Sequence, residues 1–422
     1  MKVFLIGLGA GLEHLIPDAR QAAEQADIIV GAPRLLDIMR TAYSRDQGEI
    51  PEFRQEIWPG RIADLLLENR EAWAEKNIVL LYSGDTGFYS GAGSFLRELR
   101  KRIPRNLDVM SPETESRIGF SVTVFPGISS IQMLASAIGK PWQDWTLVSA
   151  HGRDCDPAGE LRLGKDTFFL TGGQTGVQKL CRDLCDAGLE NQHVWIGENL
   201  GMREEKITDT TCGRAAEKEF SPLAVVLAEG DRDPFPVTGI PDEAFIRGKV
   251  PMTKREVRLC ILSRMNPMPE EKIWDVGAGT GSVSVELARQ AKGGAVSSVE
   301  SREDACALIT QNRRKFHLTN LHVVRGEAPE ALKDLPEPDA VFIGGSDGHI
   351  EEIIEAAAER NPDVRIVFSA IVLETVSRGM NALQKLGREP EIMQIAVSRS
   401  KAVGSQRSHM MLAENPVYII CG

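Results

Sequence analysis

The chain has 422 residues, of which 42% are apolar, and its 49 lysines and arginines against 60 acidic residues give a net charge of −11. The length predicts two or three domains, and the acidic balance argues against a broad nucleic-acid-binding surface. The apolar runs are all too short to span a membrane, and the seven scattered cysteines fit a reducing cytoplasm better than a structural metal site.

Short apolar runs, each ending at glycine or small polar residues, recur through the first half of the chain. The first runs from Val3 to Gly9 and opens into Gly7-Leu8-Gly9-Ala10-Gly11, so we expect a first strand and not a signal peptide. Further strands are predicted to begin at Ile28, Ile78, Ser121, Leu147, Thr167, His193 and Leu223. Repeated strand–glycine–helix units predict an α/β fold throughout.

Three of these turns together resemble the tetrapyrrole methylase family: Gly7-Leu8-Gly9, Ser83-Gly84-Asp85 and Pro126-Gly127-Ile128-Ser129-Ser130. The stretches Ser83-Gly84-Asp85-Thr86-Gly87-Phe88-Tyr89-Ser90 and Ser149-Ala150-His151-Gly152-Arg153 are similar to its CbiE branch. The resemblance implies two α/β lobes with S-adenosylmethionine bound in the cleft between them. By position it implies a donor site lined by Leu8, Gly9, Asp85, Phe88, Ser130 and Ile131.

The first turn departs from that family. It reads Gly-Ala-Gly-Leu-Glu-His from Gly9, where the family usually has Gly-Pro-Gly-Asp. The role of the family's aspartate is therefore open here, with Glu13 and His14 as candidate replacements.

A charged, proline-rich break from Asp231 to Pro236 predicts the boundary between two domains, 1–236 and 237–422. Beyond it, Thr253 is predicted to cap a helix, with Glu256 three residues later completing a capping box.

A strand–turn–helix is predicted from Ile273, through Asp275 and three alternating glycines, to Ala288. Nineteen residues after Gly281, Glu300 ends a second apolar run, where a carboxylate can accept both hydroxyls of a ribose. The glycines follow G-x-G-x-G and not the dinucleotide pattern, and an acid preceding them is typical of S-adenosylmethionine sites. The methyl donor is therefore favoured over a nicotinamide cofactor.

Five parallel strands are predicted from Ile273 onward, with two late strands, 392–397 and 417–421, joined by a polar segment as in a terminal hairpin. This pattern predicts the doubly wound, Rossmann-like sheet of class I methyltransferases. The turn after the fourth strand, Gly344 to Gly348, lacks the aromatic residue that base-methylating enzymes often place there. A nucleic-acid base is therefore disfavoured as the substrate.

The second half resembles the CbiT family in motifs that follow the family's order: Gly239 to Phe245, Thr253-Lys254, Asp275 to Gly281, Gly326 to Leu332, Gly344-Gly345-Ser346 and Leu373-Glu374-Thr375. By this resemblance the cofactor is held by Thr253, Gly277, Ala278, Gly279, Thr280, Gly281, Glu300 and Ala328. Both halves in one chain resemble the fused CbiE–CbiT family of cobalamin biosynthesis. That resemblance implies methylation of a corrin precursor, precorrin-6B/6Y or its cobalt form, at C5 and C15, with decarboxylation of the ring-C acetate.

The substrate of that family carries many carboxylates, so local cations are needed. Arg399 and Arg407, between the last two strands, are predicted to bind them bidentately; a solvated basic loop is the alternative. Glu374, at the end of the fifth strand, is predicted to cap a helix, and the alternative is that it faces the reacting centre. No catalytic residue stands out.

Two other functions stay open at this point. One is a nicotinamide-dependent oxidoreductase that uses the Glu300 site, and the other is a non-catalytic corrinoid- or nucleotide-binding protein. We further expect a cytoplasmic homo-oligomer that uses no metal ion, nucleic acid or membrane.

Overall fold

The computed structural model describes residues 1–422 except 10, 45–49, 104–109, 151–154, 163, 173–175, 233 and 404–407, and except the side chain of residue 113. None of the helices in the described part of the chain combines the length and apolar character needed to cross a bilayer.

The first lobe is a parallel sheet covered by helices. Its elements are β1 (Lys2–Gly7), α1 (Pro17–Glu24), β2 (Ile28–Gly31), α2 (Pro33–Tyr43), β3 (Glu52–Gln55), α3 (Pro59–Glu68), β4 (Asn77–Tyr82), α4 (Gly91–Lys101), α5 (Pro112–Ile118) and β5 (Ser121–Phe125). The strand order is β3-β2-β4-β1-β5, and every pair is parallel. Apolar clusters on both faces explain why β1, β2 and β4 are continuous aliphatic runs.

The second lobe has a mixed sheet. Its elements are α6 (Ser130–Ile138), β6 (Thr146–Ser149), α7 (Pro157–Leu161), β7 (Thr167–Leu170), α8 (Val177–Asp186), β8 (His193–Glu198), β9 (Lys206–Thr211), α9 (Cys212–Ala216) and β10 (Ala224–Ala228). In the order β6-β7-β10-β8-β9, only β6 and β7 are parallel. The edge strands β3 and β9 were not predicted from the sequence.

The second half of the chain contains one large sheet. Its elements are α10 (Arg255–Met265), β11 (Lys272–Val276), α11 (Ser282–Gln290), β12 (Ala295–Glu300), α12 (Glu303–Lys315), β13 (Leu321–Arg325), β14 (Ala340–Ile343), α13 (Ile350–Arg360), β15 (Arg365–Ala370), α14 (Leu373–Lys385), β16 (Glu391–Ile395), β17 (Ser398–Val403), β18 (Ser408–Ala413) and β19 (Val417–Cys421).

The order of the large sheet is β13-β12-β11-β14-β15-β19-β16. The first five strands are parallel, and β19 runs antiparallel to both of its neighbours. One apolar cluster packs on each face, so the predicted doubly wound sheet is confirmed. The polar segment between β16 and β19 is itself a two-stranded hairpin, β17–β18, which the sequence analysis left as a connection.

At two helix N-termini the cap residue in the structure differs from the predicted one. Helix α10 has Lys254 as its N-cap without a side-chain cap bond, so the capping box of Thr253 and Glu256 is wrong. Glu374 lies exposed in the first turn of α14, whose N-cap is Val372. There its charge is favourable to the helix dipole, although its side chain makes no cap bond.

The two halves contact each other through the second lobe and the turn after α12. Arg162 Nη1 donates to the carbonyl oxygen of His317 at 2.7 Å, and Arg162 Nη2 lies 3.2 Å from Asp156 Oδ2. The hydroxyl of Thr319 donates to the same carboxylate. The side chains of Asp156 and Arg162 are each only 8% exposed, so this joint is buried and polar. The boundary predicted between 236 and 237 follows β10 and precedes Gly239, which bonds to α11.

Candidate active sites

The turn between β11 and α11 borders a cavity of about 630 Å³ in the second half. Gly277 has a φ of +69°, and an added Cβ would overlap the backbone of Gly345. Only glycine allows both this left-handed conformation and the close approach of the turns after β11 and β14. These two turns meet at the carboxyl edge of the sheet, where open α/β sheets bind ligands.

Glu300 lies at the end of β12 and lines the same cavity. Its Oε2 accepts the Gly279 N–H at 2.9 Å, and its Oε1 accepts the Arg302 N–H at 3.0 Å. These bonds fix the carboxylate beside the glycine turn. Each oxygen keeps a further lone pair, so the group can still accept ligand hydroxyls.

Asp275 is fully buried beneath the glycine turn. The hydroxyl of Ser284 donates to its Oδ2, whereas its Oδ1 has no hydrogen-bond partner among the described residues. Burial, with a smaller contribution from the charge of Glu300, raises the pKa of Asp275 to about 7. A buried acceptor without a partner at a cavity wall fits a ligand that brings a donor or a positive charge.

Seven of the eight residues that the sequence predicted to hold cofactor in this half line the cavity: Thr253, Gly277, Ala278, Gly279, Thr280, Glu300 and Ala328. The eighth, Gly281, is the N-cap of α11 and does not line it. The fold therefore brings the set together. Their binding of a cofactor stays a prediction.

A buried ion pair that the sequence analysis missed positions one wall of this cavity. Arg258 Nε donates to Glu286 Oε1 at 2.8 Å, and Arg258 Nη1 donates to the carbonyl oxygen of Thr253 at 2.7 Å. Glu286 Oε2 accepts the Gly239 N–H at 2.6 Å. In the sequence, the signal for this ion pair was Glu286, a charged residue within a largely apolar helix. In the structure, the residues of α11 from Ser282 to Arg289 are all buried.

In the first half, the turns after β1, β4 and β5 converge. A Cβ added to Gly127 would overlap the carbonyl oxygens of Gly7 and Gly84, so these turns touch through backbone alone. Asp85 joins them further, because its Oδ1 accepts the Gly127 N–H and its Oδ2 accepts the Gly87 N–H, both at 3.1 Å. The carboxylate of Asp85 thus organises the turns.

The other residues predicted for this donor site lie around the same junction. The side chains of Leu8 and Ile131 are buried in separate apolar clusters, so they offer mainly backbone to a ligand. Phe88 packs against the second lobe, with its ring 6.1 Å from that of Phe168. Gly9 donates its N–H to the Gly84 carbonyl, and Ser130 begins α6.

A second cavity, of about 650 Å³, lies between the two lobes. It is lined by the turn after β4, the start of α4, and residues such as Ser149 and Leu170 of the second lobe. Tyr89, which the sequence analysis did not select, lines it with 54% of its surface exposed and a φ of +47°. A bulky side chain rarely adopts that left-handed conformation.

Comparison with known proteins gives two family matches. A model described as tetrapyrrole (corrin/porphyrin) methylases matches residues 2–216, and one described as a precorrin methyltransferase domain matches residues 243–419. The chain belongs to the tetrapyrrole methylase family. Both matches are to methyltransferases and give no support to the oxidoreductase or the binding-protein alternative.

Named relatives agree with this assignment to the tetrapyrrole methylases. A precorrin-6Y C(5,15)-methyltransferase [decarboxylating] from a Sinorhizobium species is 29% identical over 409 residues, which are 95% of this chain and 91% of that protein. A probable cobalt-precorrin-6B C(15)-methyltransferase (decarboxylating) from Pyrobaculum calidifontis is 43% identical over 190 residues, which are 44% of this chain and 96% of that protein. The second half therefore also belongs to the family of that relative.

A solved structure, the precorrin-6Y C5,15-methyltransferase of Geobacter metallireducens GS-15, is 37% identical to this tetrapyrrole methylase. The match covers 45% of this chain and 98% of that one, with a TM-score of 0.43.

The predicted substrate arginines of this tetrapyrrole methylase have different outcomes. Arg399 Nε donates to Glu414 Oε1 at 3.0 Å, and its Nη2 pairs with Glu256. A substrate carboxylate would therefore compete with two resident ones at Arg399. Arg407 lies outside the described residues.

Proposed function

We propose that this chain transfers methyl groups from S-adenosyl-L-methionine to C5 and C15 of a corrin precursor and removes the ring-C acetate carboxylate as CO2. The first half would carry the C5 methylation, and the second half the C15 methylation and the decarboxylation. The observation that carries the proposal is the match to a relative named for both activities along 95% of the chain.

In the second half of the chain, the residues that line the cavity beside Glu300 fit the methyl donor. Glu300 is fixed at a position from which it can accept the ribose hydroxyls. The unpartnered Oδ1 of Asp275 and the acidic lining suit a cation. When bound, the donor would supply the methyl group of its sulfonium and leave as neutral S-adenosyl-L-homocysteine.

The protein's part in this chemistry is alignment and shielding. A sulfonium is already a good leaving group, so the walls around Glu300 and Gly277 need only hold the accepting carbon in line with it. In the decarboxylation the carbon–carboxyl bond breaks, its electron pair enters the protonated conjugated ring, and CO2 leaves. The ring itself is the electron sink, so no further organic cofactor is needed.

In the first half we assign the donor to the junction of the turns at Gly9, Asp85 and Ser130, with backbone from Leu8 and Ile131 and the ring of Phe88. The cleft lined by Tyr89 is then the place for the flat macrocycle, because an exposed aromatic side chain packs well against a conjugated ring.

We also propose that Arg399 contacts a substrate carboxylate after exchange with Glu256 or Glu414, and that Arg407 assists it.

A cytoplasmic homo-oligomer is proposed as well. The seven free cysteines support a reducing compartment, and the exposed Met410, Met411 and Leu412 on β18 support self-association, which light scattering would test.

Mass spectrometry of the product tests the reaction. The intact chain, given the donor and a precorrin-6B-type substrate with or without cobalt, should add two methyl groups and release one CO2. Glu300→Gln should retain C5 methylation and lose most C15 methylation, whereas the control Glu303→Gln, at an exposed neighbour, should retain both. Absence of any mass gain with both substrates would contradict the proposal.

A further inference from the structure

The cavity of the second half has an uneven distribution of charge. Its acidic lining residues are Asp275, Glu300, Glu327, Asp347 and Glu414. Its basic lining residues are Lys254, Arg302 and His349. An acidic cavity suits a sulfonium cation, so any cation without a partner in it calls for a separate explanation.

Two of the three basic residues already have acidic partners. Arg302 binds both oxygens of Asp304, at 2.7 and 3.1 Å, and His349 Nδ1 lies 3.7 Å from Glu352. Lys254 differs from them. Within the part of the chain that the structure describes, no carboxylate lies within 4 Å of its ammonium, and the ammonium donates no hydrogen bond.

Hydrogen bonds from Arg258 hold the backbone of Thr253 and Lys254 in place. The N–H of Arg258 donates to the carbonyl oxygen of Lys254 at 2.8 Å, and the Arg258 guanidinium, which is fully buried, binds the Thr253 carbonyl. Just before it, the Pro251 carbonyl oxygen approaches to 3.2 Å of the position that a Cβ on Gly279 would take. The segment 251–254 therefore crosses the glycine turn, and Lys254 is a half-buried cation on a fixed frame at the cavity wall.

We propose that Lys254 binds a carboxylate of a molecule in this cavity, either a side chain of the tetrapyrrole or the methionine end of the methyl donor. This inference rests on the proposed function for the identity of those molecules. A half-buried ammonium without an anion gains most from a ligand that supplies one. The carboxylate is not the one lost as CO2, because pairing with that group would stabilise it before the bond breaks and slow its loss.

Lys254→Gln tests this in the intact chain, with Lys254→Arg as the charge-retaining variant. Lys249→Gln, an exposed lysine outside the cavity lining, is the matched control. The first measurement is the protection from hydrogen exchange of peptides covering 273–300 at increasing S-adenosylhomocysteine, which gives the dissociation constant of this site alone. The second is the KM for the tetrapyrrole in C15 methylation.

A charge-assisted bond predicts an effect of about 10- to 100-fold. If Lys254→Gln weakens S-adenosylhomocysteine binding by that factor, the donor carboxylate is the partner. If binding is unchanged and the tetrapyrrole KM rises by that factor, the substrate carboxylate is the partner. Lys254→Arg should restore most of either loss.

Wild-type values for both quantities in Lys254→Gln would overturn the inference while leaving the proposed function intact. Failure of the wild-type chain to methylate C15 would instead count against the proposed function, and the hydrogen-exchange arm would still test Lys254.

Discussion

Arg258 and Glu286 form an ion pair, 2.8 Å from Nε to Oε1, in which neither side chain is exposed to solvent. Glu286 also accepts the N–H groups of Gly239 and Ile240, and Arg258 reaches the carbonyl oxygen of Thr253. This one pair therefore ties the beginning of the second half to α11 and fixes the segment above the glycine turn. A pair of this kind is stable only while both charges keep their partners.

Glu286→Gln should destabilise the second half by up to about 3 kcal/mol, because it leaves the buried Arg258 charge with Asp242, 3.0 Å from Nη1, as its remaining carboxylate partner. Urea unfolding combined with hydrogen exchange over residues 239–258 measures the loss. The control is Asp304→Asn, which breaks an exposed pair with Arg302 and should cost less than about 1 kcal/mol. Equal losses from the two variants would contradict this account of the pair.

Asp275 should make stability depend on pH. Burial raises its pKa to about 7, whereas an aspartate in the unfolded chain titrates near pH 4. Between these values folding takes up a proton, so the contribution of this group to stability falls as pH rises from about 4 to 7 and stays low above 7.

Asp275→Asn removes that dependence. At pH 8 the variant should be more stable than the wild type, by an amount on the order of 4 kcal/mol set by the difference between the two pKa values. At pH 4 the gain should vanish. Chemical unfolding curves at pH 4, 6 and 8 provide the measurement, and a gain that does not change with pH would show that Asp275 is not protonated on folding.

The parts of the site that the sequence predicted are local patterns. The strand, glycine turn and helix from Ile273 follow one another in the chain, and Glu300 follows at a fixed interval, so the sheet topology alone brings them together. The same holds for the turns at Gly7, Gly84 and Gly127, each of which ends a parallel strand of the first lobe.

The features that the sequence did not predict are of two kinds. Some are contacts between residues far apart in the chain, and others are strands without a buried face. Arg258 and Glu286 come from different helices, and no periodicity links them. Strands β17 and β18 are exposed on both faces, so they carry no alternation of apolar and polar residues. Arg399 was selected because few acids are near it in sequence, whereas folding brings Glu256 from α10 to its guanidinium.

Tyr89 should act in C5 methylation only. It lines the cleft between the first and the second lobe. The glycine turn between β11 and α11 lies more than 150 residues later in the sequence. Tyr89→Ala should raise the tetrapyrrole KM for C5 methylation about 5- to 10-fold, since contact with an aromatic ring contributes about 1–1.5 kcal/mol. C15 methylation should be unchanged. Tyr89→Phe keeps the ring and is the control; if it loses as much as alanine, the hydroxyl and not the ring is responsible.

Arg162 should control how the two halves unfold. Its guanidinium joins Asp156 of the second lobe to the carbonyl of His317 in the second half, in a setting where both charges are only 8% exposed. Arg162→Met removes the bridge and leaves Asp156 with the Thr319 hydroxyl and its bond to the Gly159 N–H. We expect calorimetry to show two separated transitions in this variant and more overlap between them in the wild type.

The loss in Arg162→Met should be about 2–4 kcal/mol, because the buried Asp156 charge is left without its cation. Arg314→Met is the matched control, since Arg314 spans the same joint but pairs with Glu190 where both side chains are nearly half exposed. It should cost less than about 1 kcal/mol and leave the transitions as in the wild type. Identical thermograms for all three proteins would mean that the Arg162 bridge contributes nothing to the coupling of the two halves.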